Sequence, residues 1–504
     1  MLDLFAQGFL SLFTIPNMLL MIAGVAVGIL FGSIPGLTAT MAVALCLPIT
    51  FGLSPTSGFA LLIALYIGGV SGGLISAILL NMPGTPASLA TTFDGAPMAR
   101  NGEAAKAIGL GVVFSFLGTI FSIAVLVFVA PPLAKVALKF GPFEYFAIAL
   151  FSLSLICGLS GNNLTKGLIS GMMGVAFATV GIAPIDGLPR FTFGFHELDN
   201  GFHPLPAIIG LFAISEIMSS ARESGVIKKL PYKKGKIKGY GFSLQEFKSQ
   251  IVNFFRSSVI GSAIGILPGI GGGTSNILAY SAAKRMSKHP EKFGTGINDG
   301  VVASESANNA SIGGAMIPLL CLGIPGDGVT TMLLGGFLIH GLNPGPLLFV
   351  NNADLVYTIF AALIIASIIM LVIEFYGLRI FIKLLDVPKH ILLPIILVLC
   401  GIGSFGVNSR MFDVWTLVLF GVIGYLLVLL KFPLPPMVLG FILGPIVETN
   451  LRRGLQLSQG SFIPFITQPI SGIFILITII FVGMTFISQI KKSRKNELKD
   501  SINL

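Results

Sequence analysis

One short stretch of the 504-residue chain, ASESANNASIGG (303–314), places an ionisable side chain among small residues. In a helix, Glu305, Asn308 and Asn309 lie on one face because their spacing is i, i+3, i+4. A carboxylate beside amide oxygens offers the hard ligands that a small cation prefers, whereas an unpaired Glu at membrane depth binds a proton. These residues predict an ion-coupling site for sodium or a proton. The alternative is an interfacial Glu305 that pairs with Lys284 or Arg285.

Four Pro-Gly pairs interrupt apolar runs, at 35–36, 83–84, 268–269 and 325–326. Proline removes a backbone donor and disrupts the preceding turn, and glycine permits positive φ, so each pair ends a helix and frees backbone groups. The helix that follows points its partly positive N-terminus at the gap, which favours an anion. Alternatively, the pairs are kinks that pack closely against neighbouring helices. The residues predicted to bind substrate are Pro35, Gly36, Thr38, Asn81, Pro83, Gly84, Thr85, Gly269, Gly271, Gly272, Ser275, Asn276, Pro325 and Gly326.

Other reactive residues give little support to catalysis. The segment IGGGTSN (270–276) lacks the Gly-Lys-Ser/Thr ending of a phosphate loop, and the chain has no HExxH or GxSxG motif. The four cysteines lie in apolar runs without ligand-like spacing, and the five histidines are scattered. We therefore predict no catalytic residue, metal site or cofactor apart from the coupling ion. Asp94, Asp299 and Asp327 are further candidates for an ionisable functional group.

The composition predicts that lipid is the solvent for most of the chain. Hydrophobic residues make up 54% and charged residues 10%, against about 25% charged residues in soluble domains. Apolar runs of about 20 residues, the length of a membrane helix, follow one another without the alternation of a β-barrel. The predicted fold is an all-α polytopic membrane protein. Its candidate spans are 17–35, 37–53, 59–82, 105–130, 143–160, 164–182, 204–220, 251–267, 270–283, 299–324, 327–341, 353–373, 390–407, 411–430, 435–448 and 463–489.

The basic residues behind the formal net charge of +10 cluster in a few short loops. The positive-inside rule explains this pattern without nucleic acid; a weak preference for anionic substrates is the alternative. The rule places 222–250, 284–298 and the tail from 491 in the cytoplasm, and leaves 52–58 and 183–203 outside. Residues 1–17 lack the basic start and the cleavage site of a signal peptide, and they predict an interfacial amphipathic helix.

Two pairs of motifs indicate an internal duplication. GILFGSIPG (28–36) and GSAIGILPG (261–269) share the pattern G-x-x-x-G-x-x-P-G, and GGLISAILLNMPG (72–84) resembles GGAMIPLLCLGIPG (313–326). Of each two corresponding loops one is basic and the other is not, in swapped order, so we predict two inverted repeats with broken helices or re-entrant hairpins. The predicted divisions are an N-terminal membrane repeat (1–220), a basic cytoplasmic linker (221–250), a C-terminal membrane repeat (251–490) and a basic cytoplasmic tail (491–504).

Long stretches of the chain resemble the large membrane subunit, TctA, of the tripartite tricarboxylate transporters. The resemblance is carried by residues 35–51, 71–109 and 267–326, with shorter matches at RFTFG (190–194) and HGLNPGPLLF (340–349). It implies a multi-pass subunit of the bacterial inner membrane that moves di- or tricarboxylates under an ion gradient. It also implies two partners, a periplasmic solute-binding protein and a small four-helix membrane subunit.

Three classes of function compete for these features. The first is an ion-coupled carboxylate transporter, in which the helix breaks bind substrate and Glu305 binds the driving ion. The second is a passive anion channel, which could use the same helix N-termini. The third is an intramembrane enzyme, for which the sequence shows no nucleophile–base pair. Substrate identity, the driving ion and the number of spans are not determined by these motifs.

Overall fold

The computed structural model describes residues 2–35, 37–155, 164–222, 241–384 and 389–502, so Gly36 and most of the predicted basic linker lie outside the described residues. The described residues are mainly helical, apart from one small antiparallel pair of strands, Gly181–Ile182 and Pro189–Arg190. The helices are α1 (Leu2–Leu12), α2 (Ile15–Ser33), α3 (Ala39–Cys46), α4 (Pro55–Leu80), α5 (Leu89–Arg100), α6 (Ala104–Ala137), α7 (Pro142–Ser154), α8 (Leu164–Ala178), α9 (Pro204–Ile209), α10 (Ser215–Arg222), α11 (Leu244–Ser249), α12 (Ile251–Ile266), α13 (Gly271–Met286), α14 (Asn298–Leu322), α15 (Gly328–Ile339), α16 (Leu348–Asn351), α17 (Ala353–Leu384), α18 (Lys389–Asn408), α19 (Met411–Leu429), α20 (Leu434–Leu457), α21 (Ile463–Thr467) and α22 (Pro469–Ile502).

The prediction of an all-α polytopic membrane protein is confirmed. Each predicted span contains a helix, and six helices among the described residues are long and apolar enough to cross a membrane: α2, α4, α6, α17 over Ala353–Gly377, α19 and α20. Others, such as the eight-residue α3, are too short to cross alone. Helix α14 has 25 residues but is more polar, and it is buried from Gly300 to Cys321. A polar helix of this kind needs protein neighbours that satisfy its side chains.

Packing divides the chain into two compact units. Unit 1 comprises Met1–Leu138 and Ile208–Tyr425, and unit 2 comprises Lys139–Ala207 and Leu426–Leu504. Each unit contains segments of both predicted repeats. The units are defined by contacts between residues, whereas the repeats were predicted from similar sequence motifs. The inverted arrangement and the boundaries of the repeats stay predictions. All four Pro-Gly breaks and Glu305 belong to unit 1.

The repeated glycine motif has the same packing role at both of its positions in unit 1. A methyl group added at Gly28 or Gly32 of α2 would clash with the backbone of α4, and one added at Gly261 or Gly265 of α12 would clash with the backbone of α14. Small residues let membrane helices approach this closely, and dispersion then stabilises the contact. The two first glycines of each motif therefore seat one helix against the next long helix of the chain.

The two long helices that carry these contacts also end alike. Helix α4 ends at Asn81 in the left-handed region (φ 54°), and α14 ends at Gly323 in the same region (φ 71°). A left-handed residue is a common helix terminator, because it turns the chain out of the helical path. In each case a Pro-Gly pair follows two residues later. The order of elements thus recurs in the two halves of the sequence.

Basic and non-basic loops of unit 1 are segregated in space. The Lys106 ammonium lies 2.5 Å from the Glu246 carboxylate, and this hydrogen bond lowers the pKa of Glu246 to about 2, so that the carboxylate stays charged at physiological pH. The basic 284–298 loop reaches the same region, since Gly294 and Gly296 donate to Asp94 in the helix before Lys106. The non-basic loops meet elsewhere, where Gly58 lies against His340. This grouping agrees with the charge pattern that the positive-inside rule requires.

We predict that 241–250 and 284–298 face the cytoplasm and that 52–58 and 183–203 face the other side. Single cysteines in those segments, in a background without the four native cysteines, should react with an impermeant thiol reagent from one side only. Labelling of the described part of the basic segment from outside would overturn both the orientation and the inverted repeats. A cysteine in the 52–58 loop is the matched control, because it should label from outside under the same conditions.

Candidate functional site

The four helix breaks lie at 34–38 (break 1), 81–88 (break 2), 267–270 (break 3) and 323–327 (break 4). Helix α3 begins after break 1 with Thr38 as its N-cap, whose hydroxyl accepts a hydrogen bond from the Met41 amide at 3.2 Å. Helix α15 begins after break 4 with Asp327 as its N-cap, whose carboxylate accepts from the Thr330 amide at 2.7 Å. Break 3 contains Gly269 with φ 78°, and Gly271 follows with φ 58°, both in the left-handed region that glycine tolerates.

The four breaks converge within unit 1, each meeting two others. A methyl group added at a glycine of one segment would touch or clash with atoms of another segment. At Gly328 the added methyl group would lie 3.0 Å from the Thr40 hydroxyl, and at Gly271 it would lie 2.8 Å from Asp327 Cβ. At Gly273 it would lie 3.6 Å from Pro86 Cβ. At Gly84 it would clash with the Gly32 carbonyl. Counting the helix ends directly beside each break, these contacts link breaks 1 and 4, 4 and 3, 3 and 2, and 2 and 1. Sequence-distant helix ends thus surround one region.

Polar side chains meet where break 2 contacts the start of α13, a region that we call the polar gap. The Asn276 amide donates to the Ala87 carbonyl across it, and a methyl group at Gly272 would lie 2.7 Å from Asn308 Oδ1. The side chains of Asn308 and Asn276 are fully buried, yet both polar atoms of Asn308 and Asn276 Oδ1 make no hydrogen bond of normal geometry with a described residue. Buried polar groups are normally satisfied. Of these three atoms only the Asn308 nitrogen is a donor, and a donor beside a helix N-terminus is suited to bind an anion such as a carboxylate.

Glu305 is the centre of a buried hydrogen-bond network one helical turn away. The Thr91 hydroxyl donates to Glu305 Oε1 at 2.5 Å, the Ser115 hydroxyl donates to Oε2 at 3.0 Å, and the Asn309 amide donates to Oε2 at 3.3 Å. Glu305 has no exposed surface. Within the described chain, neither Lys284 nor Arg285 forms an ion pair with it. The geometry thus brings the carboxylate together with hydroxyl and amide groups.

Asn308 lies between this network and the polar gap. Its side chain neighbours the Glu305 carboxylate on one side and Gly272 on the other. The oxygen Asn309 Oδ1 is also buried without a partner among the described residues. Carboxylate and amide oxygens therefore remain available for a cation, directly beside amides available for an anion.

The remaining predicted binding residues fall into two groups. Thr85 has a buried hydroxyl with no hydrogen-bond partner among the described residues, and this hydroxyl lies against Gly73 of α4 at break 2. Ser275, by contrast, donates to the Gly272 and Ala307 carbonyls at 3.0 and 3.3 Å. Pro35, Gly84, Pro325 and Gly326 are buried at the breaks, Pro83 is half-buried there, and Asn81 is exposed. Thr38 and Asn81 serve as helix caps.

The three other candidate carboxylates have structural partners. Asp94 accepts from the Tyr280 hydroxyl at 2.9 Å and from the Gly294, Gly296 and Ile297 amides at 2.8, 2.9 and 3.1 Å. Asp299 accepts from Gln250, and Asp327 accepts from the Tyr66 hydroxyl at 2.6 Å. A carboxylate that accepts from several fixed donors holds those donors in place. Asp94 therefore anchors the basic loop rather than a moving ion.

Several residues of the site carried no signal in the sequence. Thr91 and Ser115 are single hydroxyls in apolar helices, and they reach Glu305 across more than 180 positions of chain. Glu374 is a second buried carboxyl, on α17, and its partner is Ser71 of α4. Only an intramembrane acid attracts attention by type alone, so Glu374 could have been found in this way.

Unit 2 contains a separate cavity of about 330 Å³. Arg190, the first residue of the RFTFG segment, lines it together with Glu448, and the two side chains form an ion pair at 2.6 Å. Arg452 also contacts Glu448, at 3.2 Å. Arg452 also pairs with Asp186, so the two arginines and the two carboxylates compensate one another. Among the described lining residues the cavity therefore offers no unpaired cation for an anionic solute.

Comparisons with known proteins agree with the sequence resemblance. The family model described as "Tripartite tricarboxylate transporter TctA family" matches residues 18–439, which include all four breaks and Glu305. A protein of Agrobacterium vitis described as "Uncharacterized 52.8 kDa protein in TAR-I ttuC' 3'region" is 35% identical over 502 residues, covering 98% of each chain. Another from the same organism, described as "Uncharacterized protein in TAR-II ttuC' 3'region", is 34% identical over 234 residues, or 46% of this chain and 97% of that one. No solved structure matches the chain.

Proposed function

Because the chain belongs to the tripartite tricarboxylate transporter TctA family, and is therefore a subunit of a transporter, we propose that it imports small di- or tricarboxylates across the bacterial inner membrane. An ion gradient, of sodium or protons, drives the import. A periplasmic solute-binding protein delivers the solute, and a small four-helix membrane subunit completes the system. Citrate is the natural probe, since the family is named for tricarboxylates.

One observation carries this proposal: near the point where the breaks meet, the buried Asn308 side chain has no hydrogen bond of normal geometry among the described residues, and it lies directly beside the buried Glu305 carboxylate. A carboxylate solute can accept hydrogen bonds from the Asn308 amide nitrogen and the first backbone amides of α13, and the partial positive charge of that helix end favours it. Discontinuous helices that meet in this way are a typical solute site of secondary transporters. The polar gap therefore has the donors that a carboxylate needs.

The neighbouring Glu305 supplies the second requirement, a place for the driving ion. Its carboxylate and the free Asn309 oxygen can hold a sodium ion, or the carboxyl can hold a proton. Asn308 lies between the two places, so that a cation beside Glu305 and an anion at Gly272 would attract one another at short range. Ion and solute then stabilise the same state, and each raises the affinity for the other.

A passive anion channel is the alternative that these contacts also permit. A channel would use the helix ends without Glu305, and it could not raise the solute above its electrochemical equilibrium. The fully buried Glu305 network favours the transporter, since a carboxylate beside an anion pathway would otherwise repel the solute.

We predict that the amide and hydroxyl residues at the gap determine affinity. Replacing Asn308 by alanine should raise the apparent KM for citrate about tenfold, because a hydrogen bond to a charged group contributes about 1.5–3 kcal/mol. Asn276→Ala should also raise it, because the change removes the hydrogen bond that joins α13 to the Ala87 carbonyl at break 2. Thr85→Ala should have the same direction, and Ser275→Ala and Thr38→Ala smaller effects, because those two hydroxyls already have protein partners. Initial rates of labelled citrate uptake, in cells that express the complete system, provide the measurement.

Asn450→Ala is the matched control, since the Asn450 amide donates only to the Ile446 carbonyl of its own helix in unit 2. It should leave the KM unchanged. If the gap variants also left it unchanged, the breaks would be packing features and the solute site would lie elsewhere.

A further inference from the structure

Glu374 is a second buried acid of unit 1, on α17. Its side chain is only 1% exposed, and it lies near the C-terminal end of the candidate membrane span Ala353–Gly377. The Ser71 hydroxyl of α4 donates to Oε2 at 2.9 Å, and Oε1 has no hydrogen-bond partner among the described residues. An acid at membrane depth with a single donor is a functional hypothesis by default.

The Glu374 carboxyl lies close to that of Glu305. On α4, Ser71 is one turn from Leu74, so that both face the same side. A methyl group at Gly111 of α6 would touch Leu74 at 3.5 Å and Glu305 Cγ at 3.8 Å. Helix α4 thus contacts Glu374 through Ser71 and approaches Glu305 through Leu74. The two carboxyl groups are near enough to interact electrostatically.

The charged and titratable groups of the helices packed against α17 offer no counter-charge among the described residues. Helices α1, α2, α4 and α6 pack against it. Lys106 is paired with Glu103 and Glu246, and Tyr66 donates to Asp327. Asp3 and Lys135 are exposed, and α2 has no charged residue. On α17 itself, Asp354 and Tyr376 are exposed. Tyr357 of α17 is buried and uncharged. Among the groups whose side chains the structure describes, Glu305 is therefore the one that interacts electrostatically with Glu374.

The two acids differ in how well a negative charge is supported. Glu305 accepts from three donors, Thr91, Ser115 and Asn309, which suits an ionised carboxylate. Glu374 accepts from Ser71 alone. Two adjacent carboxylates in a low dielectric without a cation cannot both stay ionised, and the one with fewer donors takes the proton. A neutral hydroxyl costs much less to bury than a charge.

We propose that Glu374 is a proton-binding site of the transport cycle, coupled to the Glu305 carboxylate through their shared neighbourhood on α4. The proton comes from water on one side of the membrane, binds Glu374 Oε1, and returns to water on the other side. No covalent bond to the protein other than this O–H bond is made or broken. The inference rests on the proposed function for its place in transport, whereas protonation itself does not depend on the solute.

The first experiment detects the proton without any solute. Infrared spectra of the purified full-length chain in lipid nanodiscs at neutral pH should show the carbonyl stretch of a buried, protonated carboxylic acid. Glu374→Gln should remove that band, and Glu305→Gln should retain it. Glu144→Gln is the matched control, because that carboxylate caps the Gly141 amide at 2.8 Å in unit 2. An unchanged band in the Glu374→Gln spectrum would show that Glu374 is ionised and would overturn the proposal.

The second experiment tests whether the proton moves. With labelled citrate as probe, Glu374→Gln should abolish the pH dependence of gradient-driven uptake, and Glu374→Asp, which keeps the acid, should retain it. Ser71→Ala should weaken the pH dependence, and Ser367→Ala should not, because Ser367 bonds only to the Leu363 carbonyl of its own helix. A lost infrared band with an unchanged pH profile would make the proton structural and refute its role. Failure of wild-type accumulation would instead refute the proposed function and leave the infrared result standing.

Discussion

Replacing Gly272 by valine should abolish carboxylate uptake while the protein still inserts and folds. The added atoms would enter the polar gap, where the first methyl group would lie 2.7 Å from Asn308 Oδ1 and 3.1 Å from Ala87 Cβ and Ser311 Oγ. The Asn308 and Ser311 oxygens can move with their side chains, so the change displaces the polar groups that we propose to bind the solute. A substituent that costs the solute about 2.8 kcal/mol lowers its affinity about a hundredfold. Initial uptake rates, normalised to the protein in the membrane, measure the effect.

The next residue provides the control. A methyl group at Gly273 would make only ordinary contacts, with Pro86 at 3.6 Å, so Gly273→Val should keep most of the uptake. Gly84 and Gly326 are less informative, because side chains there would press on the backbone of Gly32 and Ala315 and disturb packing itself. If Gly272→Val transported as well as Gly273→Val, the gap would not be the solute path.

The Glu305→Gln change should nearly abolish ion-driven accumulation and leave exchange of bound substrate largely intact. Glutamine has almost the same size and can keep acceptor contacts with Thr91 or Ser115, but it cannot carry the charge or the proton. Coupling between two ligands typically contributes about 1–3 kcal/mol, so the ion dependence of the apparent affinity should shrink about 5- to 150-fold. Parallel assays of accumulation and of counterflow separate the two effects.

Glu144→Gln serves as the control for a Glu-to-Gln change elsewhere in the chain, since Glu144 caps a helix in unit 2. It should leave both activities unchanged. Normal accumulation by the Glu305→Gln variant, with the same ion dependence, would mean that Glu305 is structural. The driving ion would then have to bind backbone carbonyls at the breaks.

The sequence identified those parts of the candidate site whose residue types are unusual within a membrane helix. Pro-Gly pairs inside apolar runs end helices, and a carboxylate in a membrane helix is costly and therefore indicates a function. The breaks and Glu305 were identifiable from the sequence for these reasons. The left-handed ends at Asn81 and Gly323 and the glycine contacts of α2 and α12 explain physically why the motifs recur.

The rest depended on which helices meet in space. Thr91, Ser115 and Ser71 are ordinary hydroxyls whose role appears only when α5, α6 and α4 pack against α14 and α17. The same packing distinguishes two adjacent polar residues. The Asn276 side-chain oxygen has no hydrogen-bond partner among the described residues, whereas the Ser275 hydroxyl donates to the Gly272 and Ala307 carbonyls. The sequence also did not predict that each compact unit consists of two separate segments of the chain. Contact between distant helices leaves no periodic pattern in a membrane sequence.

The central claim is that this subunit couples an ion gradient to carboxylate movement, and accumulation by the wild-type system tests it most directly. Membrane vesicles that contain the complete transporter should be supplied with labelled citrate, solute-binding protein and an imposed sodium or proton gradient. We expect the internal citrate concentration to rise above its electrochemical equilibrium under one of the two gradients, and to fall back when an ionophore dissipates it. Citrate that only reaches equilibrium under either gradient, at a rate indifferent to both, would show a passive pathway and contradict the account.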